Sequence, residues 1–207
     1  MLILLPKQRE LTKRDCLRMC IGRRYWGATM DQIPDSAAYK APLQRYLEKL
    51  PQALKDGMGL LLQGPYRSGK TSAAAIVAKA SVAWGATVLF LPAEEIVRAI
   101  IEKKSFDGEQ SLEQRIREVN MLVIDDVGRE YSKEYGTSTI EWLLRMFYDS
   151  KRCVVMTTNK SLGELTKKYG DSFKEIAKAL MTRVVVDGVA WSADEHENSE
   201  GYLGEDK

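Results

Sequence analysis

Cysteine and histidine are scarce in this chain of 207 residues, which contains three cysteines and a single histidine. An odd number of cysteines does not make a complete disulfide framework, so the composition favours a reducing compartment. Cys16 and Cys20 are separated by three residues, but no second Cys or His pair is close in sequence, and His196 stands in a polar tail. A structural zinc site therefore lacks ligands.

Long apolar runs are also missing. The run at residues 1–5 is ended by Pro6 and is too short for the core of a signal peptide. No later run approaches the length of a membrane-spanning helix. We therefore expect a cytoplasmic protein without a membrane partner, and its 44% apolar content suits a single globular domain with short appendages.

The chain lacks an overall excess of either sign of charge, because the formal net charge is only +2. The charges are nevertheless unevenly distributed along the sequence. Residues 1–24 contain seven Lys or Arg against two acids, and residues 187–207 contain seven acids against one Lys. This division predicts a basic N-terminal arm (1–21), a central domain (22–191) and an acidic disordered tail (192–207). Charged ends of this kind suggest contact with a polyanion or a protein, although merely solvated termini would look the same.

The central domain contains a glycine-bounded loop, residues 64–71, that fits the pattern G-x-x-x-x-G-K-[ST]. An apolar run at 58–63, which suits a strand, precedes the loop, and an alanine-rich segment at 73–80, which favours a helix, follows it. A phosphate-binding loop requires this context of strand, loop and helix. The predicted ATP-binding residues are Gly64, Pro65, Tyr66, Arg67, Ser68, Gly69, Lys70, Thr71 and Ser72. Backbone amides and the positive end of the helix would hold the phosphates. The alternative is an ordinary glycine turn before a helix.

Two side chains of this loop have predicted roles of their own. Lys70 would reach the β- and γ-phosphates and assist catalysis, and the hydroxyl of Thr71 would hold Mg²⁺. The motif thus predicts ATP and Mg²⁺ as cofactors. It does not by itself choose among a kinase, a GTPase and a motor-type ATPase.

Apolar runs that suit strands alternate with helical patterns along the rest of the domain, which predicts a parallel α/β sheet flanked by helices. Strands are expected at 58–63, 87–91, 121–125, 153–157 and 184–186. Helices are expected at 7–20, 37–56 with a kink or split at Pro51, 94–104, 111–119, 137–149, from 161, and at 172–181.

The strand at 121–125 ends in two acids, Asp125 and Asp126. Downstream of a phosphate loop, such a pair predicts that Asp125 holds the metal and that Asp126 acts as the general base for the attacking water. Adjacent acids at a strand end can instead cap a helix. Together with the phosphate loop, the pair favours nucleotide hydrolysis.

Asn159 and Arg183 complete the list of candidate catalytic residues. Asn159 follows the fourth strand, where a polar side chain can orient the lytic water, although Asn is also a common turn residue. Arg183 follows a predicted helix and precedes an apolar strand. It could act as an arginine finger in a neighbouring subunit's site, or its positive charge could interact favourably with the C-terminal end of the helix dipole.

Four segments together resemble the AAA+ ATPases of the DnaC/DnaI/IstB group, which includes bacterial and phage helicase loaders and transposition ATPases. They are the strand and phosphate loop at 59–71, Leu-Val-Ile-Asp-Asp-Val-Gly at 122–128, Thr-Thr-Asn at 157–159 and Met-Thr-Arg at 181–183. The resemblance implies a P-loop NTPase of the ASCE type with a five-stranded parallel sheet. It also implies that residues 24–29 lead into the adenine pocket and that the helices of 94–119 face single-stranded DNA.

The function that this resemblance implies is an ATP-dependent helicase loader. It would bind ATP and Mg²⁺, self-assemble, contact single-stranded DNA and deliver or remodel a hexameric replicative DNA helicase. Two alternatives stay open within the group: an IstB-like transposition ATPase that coats duplex DNA, and a non-catalytic nucleotide-binding module that occupies a helicase. A small-molecule kinase is the remaining alternative, without an identifiable substrate pocket.

The sequence departs from the group in four places. Only about twenty residues precede the module, where loaders usually carry a helicase-binding domain. The second acid is Asp126, where many AAA+ proteins have Glu, so hydrolysis is expected to be slow. Tyr66 and Arg67 replace small loop residues. The residues after Arg183 are too few for a full lid domain, so no sensor-2 arginine is assigned.

Overall fold

A computed structural model describes residues 11–101, 105–106, 110–130 and 133–187 of the chain. Five parallel strands form its central sheet, in the order β2-β5-β6-β1-β7, and a small antiparallel hairpin pairs β3 with β4. The strands are β1 (Gly59–Gln63), β2 (Val88–Pro92), β3 (Ser105–Phe106), β4 (Gln110–Ser111), β5 (Met121–Asp125), β6 (Cys153–Thr158) and β7 (Met181–Val185). The predicted fold class is confirmed.

Helices cover both faces of this sheet. They are α1 (Lys13–Arg18), α2 (Lys40–Glu48), α3 (Leu50–Asp56), α4 (Lys70–Ala83), α5 (Ala93–Ile101), α6 (Leu112–Glu118), α7 (Lys133–Asp149), α8 (Leu162–Tyr169) and α9 (Asp171–Leu180). Successive strand residues point to opposite faces, so Leu60 and Leu62 pack with α2, α3 and α4 while Leu61 packs with α5 to α9. Burial on both faces explains the uniformly apolar strands.

The predicted helix at 37–56 is divided in two, as its proline indicated. The break lies at Lys49, and Pro51 stands in the first turn of α3, where its missing N–H costs no hydrogen bond. Gly57 ends α3 in the left-handed conformation, with φ of 74°. None of the helices in the described residues is long and apolar enough to cross a membrane.

The second half of the predicted basic arm packs against the domain. Thr12 and Asp15 form a capping box at the start of α1. Cys16 and Met19 are buried, and the carbonyl of Met19 accepts a hydrogen bond from the Phe90 amide of β2 at 2.8 Å. Residues 1–10 of the arm and the whole predicted tail, 192–207, lie outside the described residues. The domain boundaries stay a prediction.

Arg183 does not stand between a helix and a strand, as the sequence suggested. Helix α9 ends at Leu180 and β7 begins at once with Met181, so Arg183 lies in the middle of β7. The strand starts earlier than expected because it pairs with β1 along its whole length, Met181 opposite Gly59 and Arg183 opposite Leu61. Arg183 is exposed on this outermost strand.

Candidate active site

Three neighbouring strands bring the predicted catalytic segments to one edge of the sheet. In the order β5-β6-β1 all strands run parallel, so their carboxyl ends meet. Asp125 ends β5, Asn159 follows β6, and Gly64 follows β1. The strand that bears Asn159 therefore lies between the phosphate loop and the two acids. In open α/β sheets this edge is where ligands bind.

The loop between β1 and α4 needs glycine at both ends. A Cβ on Gly64 would stand 1.9 Å from the carbonyl oxygen of Val186, so no larger residue fits between the loop and the chain leaving β7. Gly69 has φ of 91° and is followed directly by the first turn of α4. The amide of Gly64 is held by the carbonyl of Thr158 at 3.1 Å. The two glycines thus let the backbone of the loop curve tightly, so that its amides can approach a bound phosphate closely.

Lys70 is folded back over its own loop. Its side chain is buried, and Nζ donates to the carbonyl oxygen of Pro65 at 2.5 Å and to Ser68 Oγ at 3.5 Å. Burial lowers the pKa of this ammonium, and the negative charges of Asp126 and Asp125 act in the opposite direction. A buried cation held by neutral oxygens can exchange them for phosphate oxygens.

Asp125 accepts hydrogen bonds from two threonines. Thr71 Oγ1 lies 3.2 Å from Oδ1 and 3.3 Å from Oδ2, and Thr157 Oγ1 donates to Oδ1 at 2.5 Å. Burial raises the pKa of this carboxyl, and the neighbouring charge of Asp126 adds to the effect, while both threonine hydrogen bonds oppose it. A hydroxyl and a carboxylate that converge in this way are the oxygen ligands that Mg²⁺ takes in phosphate sites. The residues present fit the predicted metal.

Asp126 is held at both ends. Its amide donates to Thr157 Oγ1 at 2.9 Å, and its Oδ2 forms an ion pair with Arg129 Nη1 at 3.1 Å. Its φ of 57° is in the left-handed region, which Asp tolerates better than most residues, and turns the chain away from β5. The Arg129 guanidinium also lies 5.8 Å from the centre of the Tyr66 ring.

Two buried oxygens at the same edge lack a hydrogen-bond partner among the described residues: Asn159 Oδ1 and Gln63 Oε1. Gln63 is the last residue of β1, and its Nε2 donates to the carbonyl of Lys160 at 2.8 Å. A buried acceptor without a donor is costly unless something supplies one. A water molecule can donate to these oxygens, so Asn159 Oδ1 fits the predicted role of orienting water.

Arg183 is the predicted site residue that the fold does not bring to this cluster. It is exposed on β7, and no contact among the described residues joins it to Lys70, Asp125 or Asp126.

Sequence reasoning missed several residues that shape the site. Thr157 forms hydrogen bonds with both acids, but within the segment 157–159 the prediction gives a role only to Asn159. The available signal was a hydroxyl near the end of a strand in a sheet that also carries an acidic pair. Glu130 is fully buried, with Lys168 Nζ at 2.9 Å and the Tyr169 hydroxyl donating to it. No local pattern indicated this cluster, because its members are almost forty residues apart.

Comparison with known proteins agrees with this geometry. Residues 38–193 match the model of a family described as IstB-like ATP binding protein. The replicative helicase loader DnaC of Escherichia coli (strain K12) is 27% identical over 113 residues, which are 54% of this chain and 46% of DnaC. A putative insertion sequence ATP-binding protein of Sinorhizobium fredii (strain NBRC 101917 / NGR234) is 26% identical over 125 residues, 60% of this chain and 41% of that protein.

Among solved structures, the crystal structure of DnaI is similar with a TM-score of 0.71 at 17% identity, covering 86% of this chain and 99% of that one. At this identity the likeness shows the fold. The matched stretches span less than half the length of both curated relatives. The matches confirm the resemblance to the DnaC/DnaI/IstB group.

Proposed function

Because this chain belongs to the family of IstB-like ATP binding proteins, we propose that it is an ATP-hydrolysing helicase loader. One observation carries the proposal: Lys70 and Thr71, which follow β1, converge with Asp125 and Asp126, which follow β5, at the carboxyl edge of the sheet and at the N-terminus of α4. That arrangement supports binding of a nucleoside triphosphate with a divalent cation.

Each residue has a chemical task in this proposal. Backbone amides of 66–70 and the Lys70 ammonium would hold phosphate oxygens, while Thr71 and Asp125 would hold Mg²⁺. The bound Mg²⁺ would neutralise charge on the phosphates. Asp126 accepts the proton of the attacking water, and Asn159 orients that water through its buried amide. Asp126 must leave its ion pair with Arg129 to do so.

Self-association would complete the site. Arg183 is exposed on the outermost strand and can be offered to a second copy of the chain, where it would stabilise charge that develops during phosphoryl transfer. Hydrolysis would then depend on assembly and would be slow in the monomer. The side chain of Asp126 is one methylene shorter than that of Glu, so its carboxylate reaches less far toward the attacking water. This also supports slow hydrolysis.

The partners are proposed from the similarity to DnaC, whose name describes a replicative helicase loader. By this analogy the chain assembles around single-stranded DNA and delivers or remodels a hexameric replicative helicase. ATP binding favours assembly, and hydrolysis reverses it.

The test is the rate of ATP hydrolysis per subunit over a wide range of protein concentration, with and without single-stranded DNA. We expect the rate per subunit to rise with concentration and to rise further when single-stranded DNA is present. A rate that is independent of both would contradict the assembly proposal. A helicase captured from cell extract with ATP present, and not with the Lys70→Ala variant, would identify the partner.

A second candidate is a transposition ATPase that coats duplex DNA. The family description and the insertion sequence relative favour it, and the same active site would serve. The ligand discriminates between the two: stimulation by duplex and not by single-stranded DNA, together with capture of a transposase, would support this second function.

A further inference from the structure

The loop that leaves β5, residues 126–130, carries an ion pair at the mouth of the site. Arg129 Nη1 lies 3.1 Å from Asp126 Oδ2, and the two side chains are 55% and 40% exposed. Ion pairs this exposed are weak and exchange partners readily. Asp126, the proposed general base, is therefore occupied by a cation that can be drawn away.

Arg129 also contacts the opposite side of the mouth. Its guanidinium is 5.8 Å from the ring centre of Tyr66, which stands in the phosphate loop and is 64% exposed. A cation over an aromatic ring is a modest attraction at an exposed site. One positive charge thus lies between the loop that would hold the phosphates and the acid that would activate water.

The backbone on either side of Arg129 is firmly anchored. Glu130 is buried and accepts hydrogen bonds from the Gly128 amide at 3.0 Å, from Lys168 at 2.9 Å and from the Tyr169 hydroxyl. Gly136 leaves room for it, because a Cβ there would stand 2.8 Å from Glu130 Cγ. The Arg129 side chain therefore moves from a fixed base.

We propose that Arg129 is a positioning residue that senses the terminal phosphate of a bound nucleoside triphosphate. Without that phosphate, Arg129 holds Asp126 in a resting ion pair. With it, Arg129 pairs with the phosphate oxygens, which carry more charge than one carboxylate and suit a planar guanidinium fork. Asp126 is then free to accept a hydrogen bond from water. The proposal rests on nucleotide binding at this site.

The test measures affinity by fluorescence anisotropy, with labelled ADP and a labelled non-hydrolysable ATP analogue, each with Mg²⁺. We expect Arg129→Gln to weaken binding of the ATP analogue about tenfold and to change ADP binding less than about twofold, because only the analogue has the terminal phosphate. Arg129→Lys should fall between. Arg145→Gln is the matched control, since Arg145 is 57% exposed and pairs with Glu141 at 2.9 Å away from the site.

A second pair of variants tests the competition itself. Asp126→Asn should tighten binding of the ATP analogue in the wild-type background, because Arg129 loses its resting partner. The gain should disappear when Arg129→Gln is also present. An equal gain in both backgrounds would indicate a general charge effect and overturn the proposal.

Two further outcomes separate this proposal from the function on which it rests. If the wild-type protein binds both nucleotides and Arg129→Gln leaves their affinity ratio unchanged, Arg129 is not a sensor, while the ATPase proposal stands. If the wild-type protein binds neither nucleotide, the site assignment fails and this proposal with it. Melting curves of each variant confirm that the compared proteins are folded.

Discussion

The carboxyl ends of β1, β5 and β6 and the outer edge of β7 hold the residues proposed for hydrolysis, and the two regions are built differently. At the strand ends, Lys70, Asp125 and Thr157 are largely withdrawn from solvent and contact each other or the loops around them. On β7, Thr182, Arg183 and Val185 are exposed, and within the part of the chain that the structure describes the strand pairs only with β1.

This difference separates the residues that one chain brings together from the exposed strand that we propose to contact a second copy. At the strand ends, one chain brings together the residues that we propose to bind phosphate, metal and water. An open strand edge instead presents backbone and side chains that another surface can meet. The two regions are physically joined, because Val186 donates to the carbonyl of Gln63 at 2.7 Å and its own carbonyl lies against Gly64. The phosphate loop and the strand of the proposed subunit contact are therefore in direct backbone contact.

The largest effect is expected from Lys70→Ala. Loss of the ammonium removes the principal cation of the phosphate site, so ATP hydrolysis should fall to background and nucleotide binding should weaken at least about tenfold. Equilibrium binding and a phosphate-release assay measure both. Lys178→Ala is the control, because Lys178 is an exposed lysine paired with Glu175 at 2.9 Å. Wild-type hydrolysis by Lys70→Ala would mean that the two regions do not divide the work as described.

The next largest effect concerns Arg183→Ala. If Arg183 acts in a neighbour's site, this variant should bind nucleotide normally but hydrolyse it roughly a thousandfold more slowly. Mixed with Lys70→Ala, it should regain activity, because one partner supplies an intact site and the other an intact arginine. Mixing it with the double variant Lys70→Ala/Arg183→Ala should restore nothing. Activity that never returns on mixing would contradict action between subunits.

The sequence predicts the strand-end region better than it predicts β7. The phosphate loop and the acidic pair are contiguous motifs, so Lys70, Thr71 and Asp125 could be placed from the sequence, and the alternation of strands and helices gave the parallel sheet. The sequence predicts Arg183 between a helix and a strand, and this is wrong because the pairing that starts β7 at Met181 is made with β1, more than a hundred residues away.

The residues that complete the site were not predictable for a related reason. Arg129 and Tyr66 meet because the loops that follow β5 and β1 approach each other in space, across the end of β6. Glu130 alone looked like one more charged loop residue; its burial depends on Tyr169 and on the small Gly136. Such clusters follow from tertiary packing and leave no local pattern in the sequence.

A smaller effect is expected from Thr157→Val, which tests how firmly the strand ends are held. Valine keeps the shape but loses the hydroxyl that donates to Asp125 and accepts from the Asp126 amide. Leaving those groups unsatisfied should lower the free energy of unfolding by about 1–3 kcal/mol and slow hydrolysis. Thr182→Val, on the exposed edge, should change stability by less than about 0.5 kcal/mol. Denaturant unfolding measures both, and equal losses would erase the contrast between the regions.

The smallest effect is expected from Asp125→Asn in protein free of nucleotide and metal. Burial raises the pKa of Asp125 above its ordinary value of 3.8, so the native state binds its proton more tightly than the unfolded state does. The stability that the carboxyl contributes is therefore present below pH 3.8 and is lost as pH rises through the raised pKa.

At neutral pH the ionised, buried carboxylate destabilises the folded protein, and the neutral side chain of asparagine does not. Asp125→Asn should melt slightly higher than wild type in chelator at pH 7, with the difference shrinking in acid. Adding Mg²⁺ and nucleotide should reverse the order, because the ligand stabilises only the protein that binds it. A lower melting temperature for Asp125→Asn in chelator at pH 7 would mean that the strand ends are stabilised by their charges, and not strained by them.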